Sequence, residues 1–307
     1  MPEHTTVIRS MTTEDLAPAA YVRKYAMEGL LRGEGRDPWP WIPGNDFAQR
    51  HILRTDPGGC WVAEINGLVV GFAQGFVRGD IWFLAQLFVH PEVHAIGIGQ
   101  ELLRRAYDYG VERGAGVFSV VSSTSPVAQA LYMRAGMFAF AIGYRLSGSI
   151  DALLDLPQPD GNKKTIVDCS GWQDRIADLD RATFGAERRE DHAYYLDPTS
   201  WSLDESASFG LTRDGDFLGY GYALTSGFIA PLVAYKPEDQ LPLLRLCAEW
   251  LHDHQVSDGS MWVISHNQTL HSALLGRGWR VGGWSFLKAN RPFGKFDRYH
   301  PAGGILL

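Results

Sequence analysis

The stretch Leu87–Leu103, LFVHPEVHAIGIGQELL, decides the fold of this chain. It predicts a buried strand, a short loop that contains Gly97-x-Gly99, and a helix that begins at the second glycine. Backbone N–H groups at a helix start have no helical partner, and the helix dipole adds partial positive charge there. Because glycines leave those donors uncovered, the stretch predicts a cradle for a diphosphate group.

Two other phosphate-binding patterns do not fit the same loop. A dinucleotide-binding turn needs a third glycine soon after the second, and Gln100–Leu102 contains none. A nucleoside-triphosphate loop needs Gly-Lys followed by Ser or Thr, and that sequence is also missing.

The segment from His94 to Gly99, HAIGIG, resembles the Q/R-x-x-G-x-G/A signature of the GCN5-related N-acetyltransferase (GNAT) family, with histidine in the place of Arg or Gln. The resemblance implies acetyl-CoA as co-substrate and a tandem, two-domain bacterial member whose second domain is degenerate. It also implies that acetyl-CoA contacts a set of residues at this strand end, loop and helix start, together with one serine further along, namely Leu87, Phe88, Val89, His94, Ala95, Gly97, Ile98, Gly99, Gln100 and Ser125.

A second motif, Ala130-Leu131-Tyr132-x-x-x-Gly136, resembles the family's A-x-L-Y-x-x-x-G. The resemblance implies that the Tyr132 hydroxyl lies near the CoA sulfur and protonates the departing thiolate as a general acid. The alternative is a packed aromatic ring with one satisfied hydroxyl. For Ser125, a helix N-cap role explains the residue as well as a contact with the pantetheine arm does.

Composition limits the classes of partner. The chain has 307 residues, a net charge of −7 and no long basic run, which argues against nucleic acid and anionic membrane as partners. Its three cysteines, Cys60, Cys169 and Cys247, lie far apart, as is typical of reduced, cytoplasmic proteins. No secretory signal and no apolar run long enough to span a membrane is present, so we expect a cytoplasmic protein.

Two segments of the chain each resemble a segment that lies further along the sequence. Ile65–Phe72 matches Arg213–Tyr220, and Ser125–Gly136 matches Asn267–Gly278, a period of about 145 residues that indicates a duplicated domain. We therefore expect an α/β fold of two tandem GNAT-like domains, each a mixed, mostly antiparallel sheet flanked by helices. The predicted division is an acetyltransferase domain at 1–150, a Pro-, Asp- and Gly-rich linker at 151–163 and a degenerate domain at 164–307.

The first copy also has a predicted order of elements. A strand near Val7 is followed by helices at about 13–32 and 44–54 and by strands at 60–66, 68–78 and 80–89. The helix from Gly99 to about Gly114, a strand at 117–121, a helix from Ser125 and a strand at about 138–147 complete it. Asn66-Gly67 and Asp214-Gly215 predict tight hairpins.

The second copy lacks the glycine loop. Its equivalent stretch, Ala230–Asp239, has no Gly-x-Gly, while its prolines remove donors and its two carboxylates would repel a diphosphate. The second copy is therefore predicted not to bind acyl-CoA at that place.

The sequence leaves the general base open. Many relatives have a glutamate in the fourth strand, where this chain has Ala85 and Gln86, so the candidates are the dispersed residues Glu28, Glu64, His90 and Glu92. On the helix after the loop, Arg104 and Arg105 suit either the CoA 3′-phosphate or a solvated helix face, where Glu101 and Arg105 would pair. No metal site is predicted, because His252, His254, His266 and His271 lack a matching ligand set.

The loop Asp37–Gly44, DPWPWIPG, joins the first two helices, where relatives often bind the acceptor, and its tryptophans would line an acceptor pocket or cap the core. We expect acetyl transfer from acetyl-CoA to a primary amine of a small molecule in a ternary complex. Two alternatives remain, acetylation of a protein lysine or N-terminus and a non-catalytic acyl-CoA-binding sensor. The sequence does not indicate the oligomeric state.

Overall fold

The computed structural model describes residues 6–33, 35, 46–93, 97–159, 171–197 and 204–307. The chain forms two compact units, Met1–Met137 and Phe138–Leu307. Among the described helices, none is long and apolar enough to cross a membrane.

The first unit contains five strands in the order β1-β2-β3-β4-β5, of which the first four are antiparallel and β5 is parallel to β4. Its elements are β1 Thr6–Ser10, α1 Leu16–Gly33, α2 Phe47–Thr55, β2 Cys60–Ile65, β3 Leu68–Arg78, β4 Ile81–Val89, α3 Ile98–Glu112, β5 Val117–Ser122 and α4 Pro126–Arg134. This order confirms the predicted mixed α/β fold. The predicted helix at 13–32 starts later, because a 3-10 turn occupies Thr13–Asp15.

Both predicted hairpin turns are present. Asn66 and Gly67 have φ of 53° and 78°, and Asp214 and Gly215 have φ of 51° and 90°. Positive φ at both central residues is the type I′ geometry whose twist matches that of the flanking strands. The Asn66-Gly67 turn therefore sets the register of β2 with β3 in the first unit.

Helix α3 packs on β2, β3 and β4, while α1 packs on β3 and β4 and α2 packs on β3. The α3 face contains the core of the unit, which includes Ala73, Trp82, Leu84 and Leu102, all at most 1% exposed. Phe72 and Gln74 flank Ala73 on β3, and they point to the face of the sheet opposite α3 because side chains alternate across a strand.

Asp56 fixes α3 on the sheet from the loop before β2. This carboxylate is 1% exposed and accepts hydrogen bonds from Arg78 at 2.8 Å, from the Val77 N–H at 3.0 Å and from the Tyr109 hydroxyl at 3.0 Å. Because Tyr109 lies on α3 and the other two donors lie on β3, one buried charge joins both elements.

The second unit contains two sheets. Strands β12, β9, β8 and β7 form one antiparallel sheet, and β6 lies between β11 and β10, antiparallel to both. Its elements are β6 Phe138–Ser149, α5 Gln173–Thr183, α6 Arg189–Leu196, β7 Ser206–Arg213, β8 Asp216–Leu224, β9 Ile229–Ala234, α7 Gln240–Asp253, β10 Asp258–Ile264, α8 Gln268–Leu275, β11 Arg280–Ala289 and β12 Tyr299–His300.

Strand β6 follows the first sequence copy but pairs within the second unit. Met261 lies opposite Leu146 on one side, and Val281 lies opposite Leu146 on the other. The compact units therefore divide before β6, whereas the repeat in the sequence counts β6 with the first copy. The domain division at residue 150 stays a prediction from that repeat. Residues 151–159 of the predicted linker are described and begin with a 3-10 turn at Asp151–Leu153, while 160–163 lie outside the described residues.

Candidate active site

The end of β4 departs from regular pairing at the place where the sequence predicts acyl-CoA contacts. Gln74 on β3 lies opposite Gln86, while Gly75 lies opposite Leu84, so Ala85 is an extra residue in β4. Such a bulge bends a strand and re-aims the residues after it. The parallel ladder to β5 covers Ile81–Leu84 and ends there. The last five residues of β4 thus extend beyond the ladder, and the half-buried Leu87, Phe88 and Val89 are among them.

The glycine turn meets this strand end at the start of α3. Gly97 is the N-cap in the left-handed conformation, with φ 84°, and its carbonyl accepts the first helical bond from Glu101 N at 3.1 Å. Among the described residues, a Cβ on Gly97 would meet no atom within 4 Å, whereas a Cβ on Gly99 would lie 3.6 Å from Val89 Cγ2. The space beside Gly97 therefore leaves the first-turn N–H groups open to an anionic group, which is the fit that a CoA diphosphate requires.

The other loop residues differ in role. Ile98 is 4% exposed, so its side chain belongs to the core and only its backbone faces the turn, whereas Gln100 is exposed. His94 and Ala95 lie outside the described residues, as does the tryptophan loop Asp37–Gly44. The structure thus brings together the strand end, Gly97, Ile98, Gly99 and Gln100, and the roles of all these residues stay predictions.

Tyr132 lies on α4 and belongs to the α3-side core, with 6% of the residue exposed. In the described part of the chain its hydroxyl makes no hydrogen bond. Burial raises the pKa of this phenol well above its usual value, so the group keeps its proton at neutral pH. No described residue therefore accounts for the Tyr132 hydroxyl, and its role as general acid stays a prediction.

Ser125 is the N-cap residue of α4, but its side chain makes no capping hydrogen bond. The turn before it is held instead by Gln129, whose Nε2 donates to Ser122 Oγ at 3.0 Å and also to the Ser123 carbonyl oxygen. The Ser125 hydroxyl therefore does not cap α4, and its contact with the pantetheine arm stays a prediction.

Two of the four general-base candidates are held by cations. Glu28 lies 3.3 Å from Arg32 and 3.9 Å from Lys24 on the same helix. Glu64 on β2 accepts hydrogen bonds from Arg9 Nε at 3.1 Å and from one terminal nitrogen of the same guanidinium. The oxygens of both carboxylates are thus already occupied by side-chain cations.

The other two candidates follow β4. His90 Nδ1 lies 3.4 Å from the Glu92 backbone N–H, and the His90 ring packs edge-on against Tyr25 with a centroid distance of 5.3 Å. Glu92 is exposed on a 3-10 turn. Neither shows the combination of burial and a specific partner that marks a tuned base.

The helix-face explanation of the two arginines on α3 has direct support. Glu101 accepts from Arg104 at 2.6 Å and from Arg105 at 2.9 Å, and hydrogen bonding to Arg104 lowers the pKa of Glu101 to about 2. The predicted Glu101–Arg105 pair is confirmed. Of the histidines weighed as metal ligands, His252 contacts Asp151 at 2.8 Å and His254 contacts the Trp250 carbonyl at 2.8 Å.

Sequence reasoning missed a polar cluster between α1, α2 and β4. Arg23, Gln49, Gln74 and Gln86 line one small cavity together with Asp46 and the apolar side chains of Met11, Leu16, Ala19, Ala20 and Phe72. Gln49, Gln74 and Gln86 are at most 7% exposed. The available signal was Gln86 itself, a polar residue within the otherwise apolar strand β4.

In the second unit, the edge of β9, the strand equivalent to β4, is paired with another strand of the same chain. Tyr299 and His300 of β12 pair with Val233 and Leu232 of β9. The Gln240 side chain, at the start of α7, donates to the Leu232 carbonyl at 2.9 Å and to the Arg298 carbonyl at 3.0 Å. Backbone groups of β9 that would face a pantetheine arm are thus already bonded, which supports the prediction of no acyl-CoA site there.

Comparison with known proteins supports the family resemblance of the first unit. Residues 24–137 match the model of the acetyltransferase (GNAT) family. An uncharacterized N-acetyltransferase of Archaeoglobus fulgidus is 38% identical over 69 residues, which are 20% of this chain and 47% of that protein. The chain thus spans about half the length of this relative. Aminoglycoside N(6′)-acetyltransferase type 1 of Salmonella typhimurium is 26% identical over 106 residues, 31% of this chain and 72% of that protein.

A similarity over nearly the whole chain comes from a solved structure. A tandem GNAT protein from the clavulanic acid biosynthesis pathway superposes with a TM-score of 0.62 at 16% identity, covering 94% of this chain and 99% of that one. At this identity the comparison shows the fold, and it confirms the expected tandem arrangement of GNAT-like domains.

Proposed function

We propose that this chain, which belongs to the GNAT family through its first unit, transfers an acetyl group from acetyl-CoA to a primary amine of a small acceptor. The proposal takes the family from the match over residues 24–137. The relative that acts on aminoglycosides supports a small amine as acceptor class, because aminoglycosides are themselves small amine-bearing molecules. The named substrate of that relative is not carried over to this chain.

One observation carries the proposal, namely the glycine turn at the end of the splayed strand β4. Gly97, at φ 84°, opens the start of α3 toward a diphosphate, and the β4 residues beyond Leu84 extend past the ladder to β5. Acetyl-CoA supplies the activated thioester. In the proposed role the helix start holds the diphosphate, while the backbone of Leu87–Val89 orients the extended pantetheine arm as a neighbouring strand would.

The acceptor amine has to be neutral before its nitrogen can attack the thioester. A lysine-like amine has a pKa near 10.4, so deprotonating it at pH 7 costs about 4.6 kcal/mol. Glu28 and Glu64 are held in ion pairs, and β4 offers the amide Gln86 in place of a carboxylate. We therefore expect the amine to lose its proton to water, with a rate that rises with pH until the acceptor itself is neutral.

Tyr132 is the proposed general acid. As the amine nitrogen bonds to the acetyl carbon and the carbon–sulfur bond breaks, the thiolate takes the proton of the Tyr132 hydroxyl, which solvent restores. Burial raises the pKa of this phenol, so the donor stays protonated across the working range of pH.

The test is release of free CoA thiol from acetyl-CoA in the presence of small primary amines, polyamines, aminoglycosides and lysine peptides. We expect turnover with at least one small amine and little with the peptides, and loss of turnover in Gly97→Glu, whose carboxylate would repel the diphosphate. Turnover confined to peptides would favour a protein substrate. Tight CoA binding without turnover on any amine would favour a sensor.

A further inference from the structure

The cavity between α1, α2 and β4 has an unusual set of polar atoms. It has room for one group the size of a water molecule and is lined by Arg23, Asp46, Gln49, Gln74 and Gln86 among apolar side chains. Polar side chains this deeply buried normally find partners, because leaving one unpaired costs free energy.

The direction of the hydrogen bonds in the cluster follows from Arg23. A guanidinium only donates, so the Gln49 amide is oriented with Oε1 toward Arg23. In this orientation Gln49 Oε1 also accepts from Gln86 Nε2 at 3.0 Å, and Gln49 Nε2 donates to the Asp46 carbonyl at 3.3 Å. The amide nitrogen of Gln86 is therefore committed to Gln49, and its oxygen faces away from that partner.

Gln74 is fixed in the same sense. The residue is fully buried, and its Nε2 donates to the Gln49 backbone carbonyl at 3.1 Å. Its Oε1 accepts no hydrogen bond. Among the described residues the Gln86 oxygen accepts none either. The two amide side chains lie at opposed positions of β3 and β4 and line one cavity, and the buried Gln74 Oε1 lacks a donor.

The charge of the lining selects the kind of donor. Arg23 and Asp46 carry opposite charges and attract each other. The cluster has no net charge, so it offers no extra attraction to a cation. A neutral hydroxyl donates one hydrogen bond, which the buried Gln74 Oε1 accepts, without bringing a second positive charge beside Arg23.

The position of the cavity connects it to the transfer reaction. Gln86 directly precedes Leu87 on β4, and one strand residue spans about 3.3 Å. Resting on the proposed transferase function, we infer that Gln74 and Gln86 form an acceptor subsite that binds a hydroxyl of the acceptor, so that the substrate is a hydroxylated primary amine.

The inference is tested by ligand-observed NMR titration of the full chain, with CoA present, using propylamine, aminopropanol and diaminopropane. Wild type is expected to bind aminopropanol about 10- to 100-fold more tightly than propylamine, since Gln74 Oε1 stays unpaired with the latter. Gln74→Met and Gln86→Met are expected to remove this preference while retaining CoA affinity. Gln173→Met, an exposed residue of α5, is the matched control and should keep the preference.

Equal wild-type affinity for propylamine and aminopropanol would overturn the inference, as would a preference that survives in both variants. Stronger binding of diaminopropane than of aminopropanol would also overturn it, because the subsite would then select a cation. Failure of the proposed function is separate. A hydroxyl preference that depends on Gln74 and Gln86, without acetyl transfer to any amine, would count against the transferase and leave the subsite standing.

Discussion

At the scale of single residues, the Tyr132 hydroxyl and the two amide oxygens of Gln74 and Gln86 are unusual for the same reason. Each is a polar atom on a buried residue that no described residue hydrogen-bonds. Such groups call for an explanation, and an ordered water or a bound ligand can supply the missing partner. The first was predicted from its sequence motif. The other two were not, because only the fold places β3 beside β4 and α2.

Replacing Tyr132 with Phe removes the proton donor and keeps the ring. We expect kcat to fall about 10²-fold, the smaller end of general acid catalysis, because CoA thiolate is already a fair leaving group. Acetyl-CoA affinity should change little. Steady-state kinetics with a CoA titration separates the two effects. Loss of CoA affinity with kcat intact would make Tyr132 a packing residue.

The two glycines of the turn should respond differently to alanine. Gly97 has φ 84°, so Gly97→Ala introduces strain of about 1–2 kcal/mol and should weaken CoA binding by distorting the helix start. Gly99→Ala places its methyl in ordinary contact, 3.6 Å from Val89 Cγ2, and should bind CoA nearly as wild type does. Calorimetric titration compares them, and equal affinity in both variants would argue against this geometry.

At the scale of elements, local sequence signals predicted most of the fold. The Asx-Gly turns, the apolar runs and the glycine before α3 each act over a few residues, and the observed elements follow them closely. The pairing of β6 between β10 and β11 is different, because it joins residues more than a hundred positions apart. No local pattern distinguishes that partner from another apolar strand.

Strand β12 should make the stability of the second unit depend on pH. His300 is 1% exposed, its Nε2 donates to the Ile229 carbonyl at 3.1 Å, and burial, with a smaller effect of His271, lowers its pKa from 6.5 to about 4. The folded state therefore keeps a neutral ring where the unfolded chain binds a proton. This contribution is complete above pH 6.5 and is lost as the pH falls toward 4, a change of up to about 3 kcal/mol.

Replacing His300 with Gln keeps a donor for Ile229 and removes the titrating ring. Urea unfolding at pH 7 and pH 4 should then show a smaller loss of unfolding free energy for the variant than for wild type. The same loss in both proteins would mean that His300 does not titrate as its burial requires.

At the scale of the whole molecule, the two sequence copies differ in the groups that lie beside β4 in the first unit and beside its equivalent, β9, in the second. In the first unit β4 runs past its ladder beside Gly97, whereas in the second unit β12 and Gln240 occupy the backbone of β9. The missing glycines indicated this loss from sequence alone. The strand that fills the gap could not be predicted, because β12 is only two residues long and carries no periodic pattern.

The most direct test is a calorimetric titration of the full chain with CoA, repeated for Gly97→Glu. We expect one site per chain for the wild type, and strongly weakened binding in the variant, because its carboxylate would enter the diphosphate cradle. Circular dichroism confirms that the variant is folded. Two equivalent sites, or an unchanged affinity in folded Gly97→Glu, would contradict the assignment of the acyl-CoA site to the glycine turn of the first unit.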